Sequence, residues 1–189
     1  MAHNELPLDN NAIDVAFSKT GTRIAVLMKD HFSVFLWSLK ARPVATPILE
    51  SSYPLSGAPD SRPRQISFLQ DNEIYILMTG GPNNAQIERT ALETRETKIA
   101  HQAADSEHFF SIFASFDHEA LWFSHVTQPG KSITYSSIIP QSVDEFAVTP
   151  CTQSPAVDTY WAEVVQVSDD EVILLEYHCN SNANTGSMF

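Results

Sequence analysis

Apolar residues in this chain fall in short runs that alternate with polar ones or run nearly unbroken. No stretch of useful length carries a helical period. The first run, Ala12 to Phe17, sets Ile13, Val15 and Phe17 against Asp14 and Ala16. Ser18-Lys19-Thr20-Gly21 follows as a turn, and Gly21 suits the positive φ of a tight hairpin. Arg23 to Met28 and Phe32 to Leu39 then read as two more strands of a meander, separated by Lys29-Asp30-His31.

The same grammar recurs three times. Ile66-Ser67-Phe68 leads through Gln70-Asp71-Asn72 into Ile74 to Leu77. Ser115-Phe116 leads through Asp117-His118-Glu119 into Leu121-Trp122-Phe123, and Val165 to Val167 leads through Ser168 to Glu171 into Val172 to Leu175. Aligning Phe17, Phe68, Phe116 and Val167 gives steps of 51, 48 and 51 residues. A continuous apolar run between turns suits a strand buried on both faces. Ala85 to Leu92 and Lys98 to Gln102 complete the second copy, and Ser132 to Ile139 with Phe146 to Thr149 the third.

A period near 50 residues built of short strands is the mark of β-propeller blades of about four strands each. A β-sandwich also uses many short strands but requires no internal period, so the repeat favours the propeller. The expected fold is all-β, a partial WD40-like propeller of about three and a half blades whose ring does not close in this chain. Residues 1–11 form an approach segment, 12–179 the partial propeller, and 180–189 an interrupted loop or tail. The expected blades are 12–50, 64–102, 110–149 and an incomplete 160–179. An unclosed ring leaves strand edges unpaired, so the reading takes this sequence as part of a longer protein.

Composition changes the picture modestly. Of 189 residues, 43% are hydrophobic and 18% charged, which suits a globular chain. Acidic side chains outnumber basic ones 23 to 11, for a formal charge of −12. Such a surface repels phosphate backbones and anionic lipid heads, so no direct nucleic-acid or membrane partner is expected. The small basic patch Arg62 to Arg64 reads as a solvated loop. Cys151 and Cys179 lie in unrelated segments without CxxC spacing, and no glycosylation sequon occurs. The N-terminus lacks a signal-peptide pattern, and no apolar run reaches membrane-spanning length. The expected location is cytoplasmic, with the nucleus as a second compartment.

Candidate chemistry is sparse. His3, His31, His101, His108, His118, His125 and His178 show no paired zinc spacing and no HExxH. Asp117-His118-Glu119 could act on a metal or a proton, but polar residues are also what a tight turn wants. A propeller hydrolase would need facing carboxylates, for which Asp14, Glu73, Glu119, Asp144 and Glu163 are available without an evident pair. No nucleophile elbow, P-loop or dinucleotide fingerprint is present. No catalytic, cofactor-binding or metal residues are therefore assigned, and no cofactor is expected. Trp37, Trp122 and Trp161 read as blade packing. Trp37-Ser38 stands where WD repeats often carry Trp-Asp, so little of the usual Asp-His network is expected.

One stretch carries a resemblance. HNELPLDNNAIDVAFSKTGTRIAVLMKDHFSVFLWSLK resembles the start of the second WD-type propeller in the family of the largest Elongator subunits, elongator complex protein 1. The matching elements are Met1, Glu5 to Leu8, Val15-Ala16-Phe17, Ala25-Val26-Leu27 and Phe35-Leu36-Trp37, within roughly the first 40 residues. The resemblance implies a non-catalytic scaffold segment in the complex that modifies wobble uridines of tRNA. It implies as partners the radical-SAM acetyltransferase subunit, which carries the chemistry, and a companion WD40 subunit. The alternatives are a divergent propeller adaptor of another intracellular complex and a propeller hydrolase.

Overall fold

The computed structural model describes residues 11–37, 47–56, 60–80, 85–104, 107–115, 117–126, 133–142 and 145–150 in full. For 151–153, 159–166, 172–178 and 187–188 it describes the backbone strands alone. The described residues form no helix. Among the described residues, fifteen strands assemble into four antiparallel sheets, each a meander in chain order.

The first sheet comprises β1 (Asp14–Phe17), β2 (Arg23–Leu27), β3 (His31–Leu36) and β4 (Ile48–Pro54). The second comprises β5 (Arg62–Gln70), β6 (Glu73–Thr79), β7 (Gln86–Ala91) and β8 (Glu96–Gln102). The third comprises β9 (His108–Ala114), β10 (Leu121–Val126), β11 (Thr134–Pro140) and β12 (Phe146–Gln153). The fourth comprises β13 (Thr159–Gln166), β14 (Val172–His178) and the two-residue β15 (Ser187–Met188).

Successive sheets meet through their first strands, β1 against β5, β5 against β9 and β9 against β13. That arrangement sets the first strands around a common axis and the sheets radially about it, as blades. The blades stack through apolar faces. Ala25, Leu27, Phe32 and Val34 of the first sheet pack on Ile66, Phe68, Ile74 and Ile76 of the second. The opposite face of the second, with Tyr75, Leu77 and Ile87, packs on Ile112, Leu121, Phe123 and Ile138 of the third. Second strands are therefore buried on both faces. Ile74 to Met78 are all buried, which explains their unbroken apolar sequence. Last strands lie at the rim and stay open, with Ile48 and Ile99 more than half exposed.

The structure departs from the sequence reading at several edges. The first blade runs on to Pro54 through β4, a strand with no identified sequence signal. ILESSYP buries Tyr53 alone, so no alternation marks it. The second blade begins at Arg62, where Pro63 opens the strand beside a register shift. The third blade spans His108 to Gln153. Its first strand ends at Ala114, because Ala114↔Leu121 holds the register of Phe17↔Ile24 and Phe68↔Ile74. The sequence alignment placed Phe116 there, and Phe116 lies outside the described residues. Within 180–189, read as a loop or tail, Ser187 and Met188 pair with β14. Residues 1–10 lie outside the described residues.

Candidate functional site

Two polar clusters stand out from the apolar stack. The first gathers the hairpin turns that join the opening two strands of blades one to three. Ser18 and Ser115 build the same turn, each Oγ accepting from a backbone amide, that of Arg23 and that of Ala120. Gly21 sits at φ 68° and His118, at the matching place, at φ 59°. The turns are tied to one another. Lys19 Nζ donates to the Asp117 carbonyl at 2.6 Å, and Gln70 Nε2 donates to the His118 carbonyl at 2.7 Å. His118 Nδ1 lies 3.0 Å from the Leu69 carbonyl oxygen. Asp71 Oδ1 accepts from Thr20 N at 2.9 Å and Thr20 Oγ1 at 3.0 Å, and Arg23 Nη1 donates to the Asp71 carbonyl at 2.9 Å.

Asp117-His118-Glu119 thus forms a turn whose groups are committed to structure. Asp117 accepts from Ser115 Oγ and from Glu119 N, and those bonds hold its carboxyl below the usual carboxylate range. The side chain of His118 faces a neighbouring blade and its ring nitrogen meets a carbonyl there, an arrangement for holding turns together.

The second cluster lies inside the third blade. His125, near the end of β10, has Nε2 2.9 Å from Ser136 Oγ on β11. Its Nδ1 lies 2.5 Å from Glu107 Oε1, on the connection entering β9. That contact lacks hydrogen-bond alignment and is electrostatic in character. The imidazole is walled by Phe109 and Phe123, with ring centroids at 6.3 and 4.9 Å, and His101 lies against the same two phenyl rings. Burial opposes ionisation of Glu107, but His125, the Ala104 amide and the nearby imidazoles together hold its carboxyl below the ordinary value. Burial lowers the His101 pKa, with Glu107 opposing the shift and His125 adding to it.

The order acid, imidazole, hydroxyl is that of an activated serine. A nucleophile must also reach a substrate. Ser136 is 2% exposed in a middle strand, between blade neighbours, where a carbonyl compound has no approach. The arrangement instead joins three segments of one blade through a buried acid–histidine–hydroxyl chain. The third blade therefore carries the kind of network that the sequence reading expected to be largely missing, with Glu in the acidic place.

Of the carboxylates considered for hydrolysis, the three with described side chains, Asp14, Glu73 and Glu119, do not converge. Asp14 Oδ2 accepts from Ile66 N at 2.9 Å, Glu73 pairs with Arg89, and Glu119 lies in the exposed turn. Asp144 lies outside the described residues, and Glu163 is described by its backbone alone. Arg62 and Arg64 lie exposed on β5, and Arg62 shares a shallow depression with Asp60, Thr79 and Gly80. Trp122 packs in β10 against Phe113, and Trp37, one residue beyond β3, against Phe17. Among the described residues no group of His, Cys, Asp and Glu could hold a metal ion. No helix among them is long and apolar enough to cross a membrane.

Comparison with known proteins agrees with the blades. An oligogalacturonate lyase in complex with manganese superposes with a TM-score of 0.58 at 10% identity, over 89% of this chain and 47% of the lyase. A 6-phosphogluconolactonase-type protein from Bacteroides fragilis gives 0.57 at 10%, over 94% and 55%. The Dos1 propeller gives 0.57 at 14%, over 88% and 42%. The chain therefore spans about half the length of these structures, and at such identities the likeness speaks for fold alone. No curated protein matches the chain. Residues 1–182 match the family described as the ELP1 N-terminal second beta-propeller. This match covers nearly the whole chain, far past the roughly 40 residues on which the sequence resemblance rested, and the chain belongs to that family.

Proposed function

We propose that this chain is a non-catalytic scaffold segment of the Elongator complex, supporting wobble-uridine modification of tRNA through protein–protein contacts. The family match over residues 1–182 carries the reading. Support comes from the polar clusters, whose described members are bound to other parts of the same chain rather than turned toward a substrate. The net charge of −12 favours protein partners over tRNA itself. The partners in this reading are the radical-SAM acetyltransferase subunit and the companion WD40 subunit, and the compartment is the cytoplasm with the nucleus second. Lyase and lactonase neighbours share the architecture at 10% identity, which carries no chemistry across.

Deleting the region that encodes this chain and measuring modified wobble uridines in bulk tRNA by mass spectrometry tests the proposal. It expects those nucleosides to fall while tRNA abundance holds. Unchanged modification, with the deletion confirmed at the protein level, would remove the Elongator role.

A further inference from the structure

Acidic side chains outnumber basic ones 23 to 11 in this chain, so carboxylates are plentiful for its cations. Three of the five arginines with described side chains are engaged. Arg23 donates to both oxygens of Glu50 at 2.9 Å, Arg89 pairs with Glu73, and Arg95 lies over the Tyr53 ring at 5.8 Å. Arg62 and Arg64 are not. Among the described residues, neither guanidinium has a hydrogen-bond, ion-pair or ring partner.

Both stand exposed at the start of β5, the axis-lining strand of the second blade, at the end opposite the tied hairpin turns. The backbone fixes their placing. Pro63 between them is buried, with a locked φ, and pairs with Met78. The register then shifts so that Gln65 pairs with Leu77, and Arg64 is left without an opposite number on β6. Arg62 pairs with Thr79, whose Oγ1 donates to the Arg62 carbonyl at 3.4 Å. Arg62, Asp60, Thr79 and Gly80 line a shallow depression there. In sequence, the two connections beside it, residues 55–61 and 80–85, carry Asp60 as their single charged side chain. Desolvation lowers the Arg64 pKa and no carboxylate offsets it, so the protein leaves this guanidinium uncompensated.

We propose that Arg62 and Arg64 are a docking point for an acidic segment of a partner protein, whose carboxylates meet the two guanidinium groups that this chain leaves unpaired. The planar fork of a guanidinium matches a carboxylate through two parallel hydrogen bonds. A phosphate backbone offers similar chemistry but needs a basic track. Here two arginines stand beside Asp60 in a chain of charge −12. A short acidic segment sets few charges against that field, whereas an RNA strand adds one with every nucleotide. The inference does not depend on the Elongator reading, which stands if the site fails.

Fluorescence anisotropy on the intact protein tests it, with a labelled hexaglutamate peptide as the probe and a labelled oligouridylate of equal length beside it. The expected result is saturable hexaglutamate binding that weakens as salt rises. Arg62→Ala combined with Arg64→Ala should weaken it on the order of 10-fold. That variant should keep its thermal midpoint, because neither side chain has a partner to lose among the described residues. Asp60→Asn removes the carboxylate of the depression and should tighten binding about two-fold. Lys19→Ala takes a positive charge from the opposite end of the blades and should leave binding unchanged. No saturable hexaglutamate binding, binding indifferent to both arginines, or an equal loss with Lys19→Ala would overturn the proposal. Tighter capture of oligouridylate through the same two arginines would overturn it as well and assign the site to RNA.

Discussion

Individual residues show where this chain departs from the easiest choice and what it gains. His118 occupies φ 59°, in the region that favours glycine and that Gly21 fills in the first blade's matching turn. The imidazole compensates by reaching the Leu69 carbonyl of the second blade. His118→Val, β-branched and unable to make that bond, should lower stability by about 2 kcal/mol in urea titration. His118→Gly should lie much closer to the parent. His125 presents a larger stake. Its removal leaves Glu107, 8% exposed at the side chain, as a buried charge without its imidazole. His125→Ala should cost about 3 kcal/mol, read by the same titration.

The pH dependence follows from the same residues. Glu107 is held below its ordinary pKa, so its stabilisation is complete above the unfolded carboxylate range and is lost as pH falls through the lower folded value. His101 is also lowered, by burial first. Its neutral form is favoured, so stability is full above the unfolded imidazole pKa of about 6.5 and declines as pH drops below it. Thermal midpoints measured from pH 8 down to pH 2 should therefore fall in two stages. His101→Phe should remove much of the upper one.

Strands are the scale at which the sequence was most legible. Val15-Ala16-Phe17, Ile66-Ser67-Phe68 and the unbroken run Ile74 to Leu77 announced themselves, because burial on one face or both dictates alternation or continuity. β4 did not, since a rim strand that buries Tyr53 alone has no pattern to show. The third copy was placed two residues late because Phe116 mimics Phe17 and Phe68, while the strand actually ends on Ala114. The Glu107–His125–Ser136 chain was invisible for a different reason. Its members come from a connection and two strands, and only cross-strand register brings them together. The bonds across the blade junctions, in which Asp14 Oδ2 accepts from Ile66 N and Gln65 Oε1 from Ile112 N, escaped for the same reason. Asp14→Ala and Gln65→Ala should each cost about 1 kcal/mol by stranding a neighbouring blade's amide. The double variant should be close to additive, because the two bonds belong to different junctions, and denaturant titration of the four proteins checks this.

For the whole molecule, the blades stack through apolar faces, and the proposed scaffold role assigns function to surfaces and partners. Fold likeness to a lyase and a lactonase-type protein coexists here with candidate carboxylates, Asp14 and Glu73, that serve separate structural duties. Membership in the ELP1 second-propeller family gives the scaffold reading its weight. The most direct measurement is affinity purification of the tagged protein from its own cells, followed by mass spectrometry. The account predicts recovery of the radical-SAM acetyltransferase subunit and the companion WD40 subunit. Recovery of an unrelated assembly in their place would contradict it.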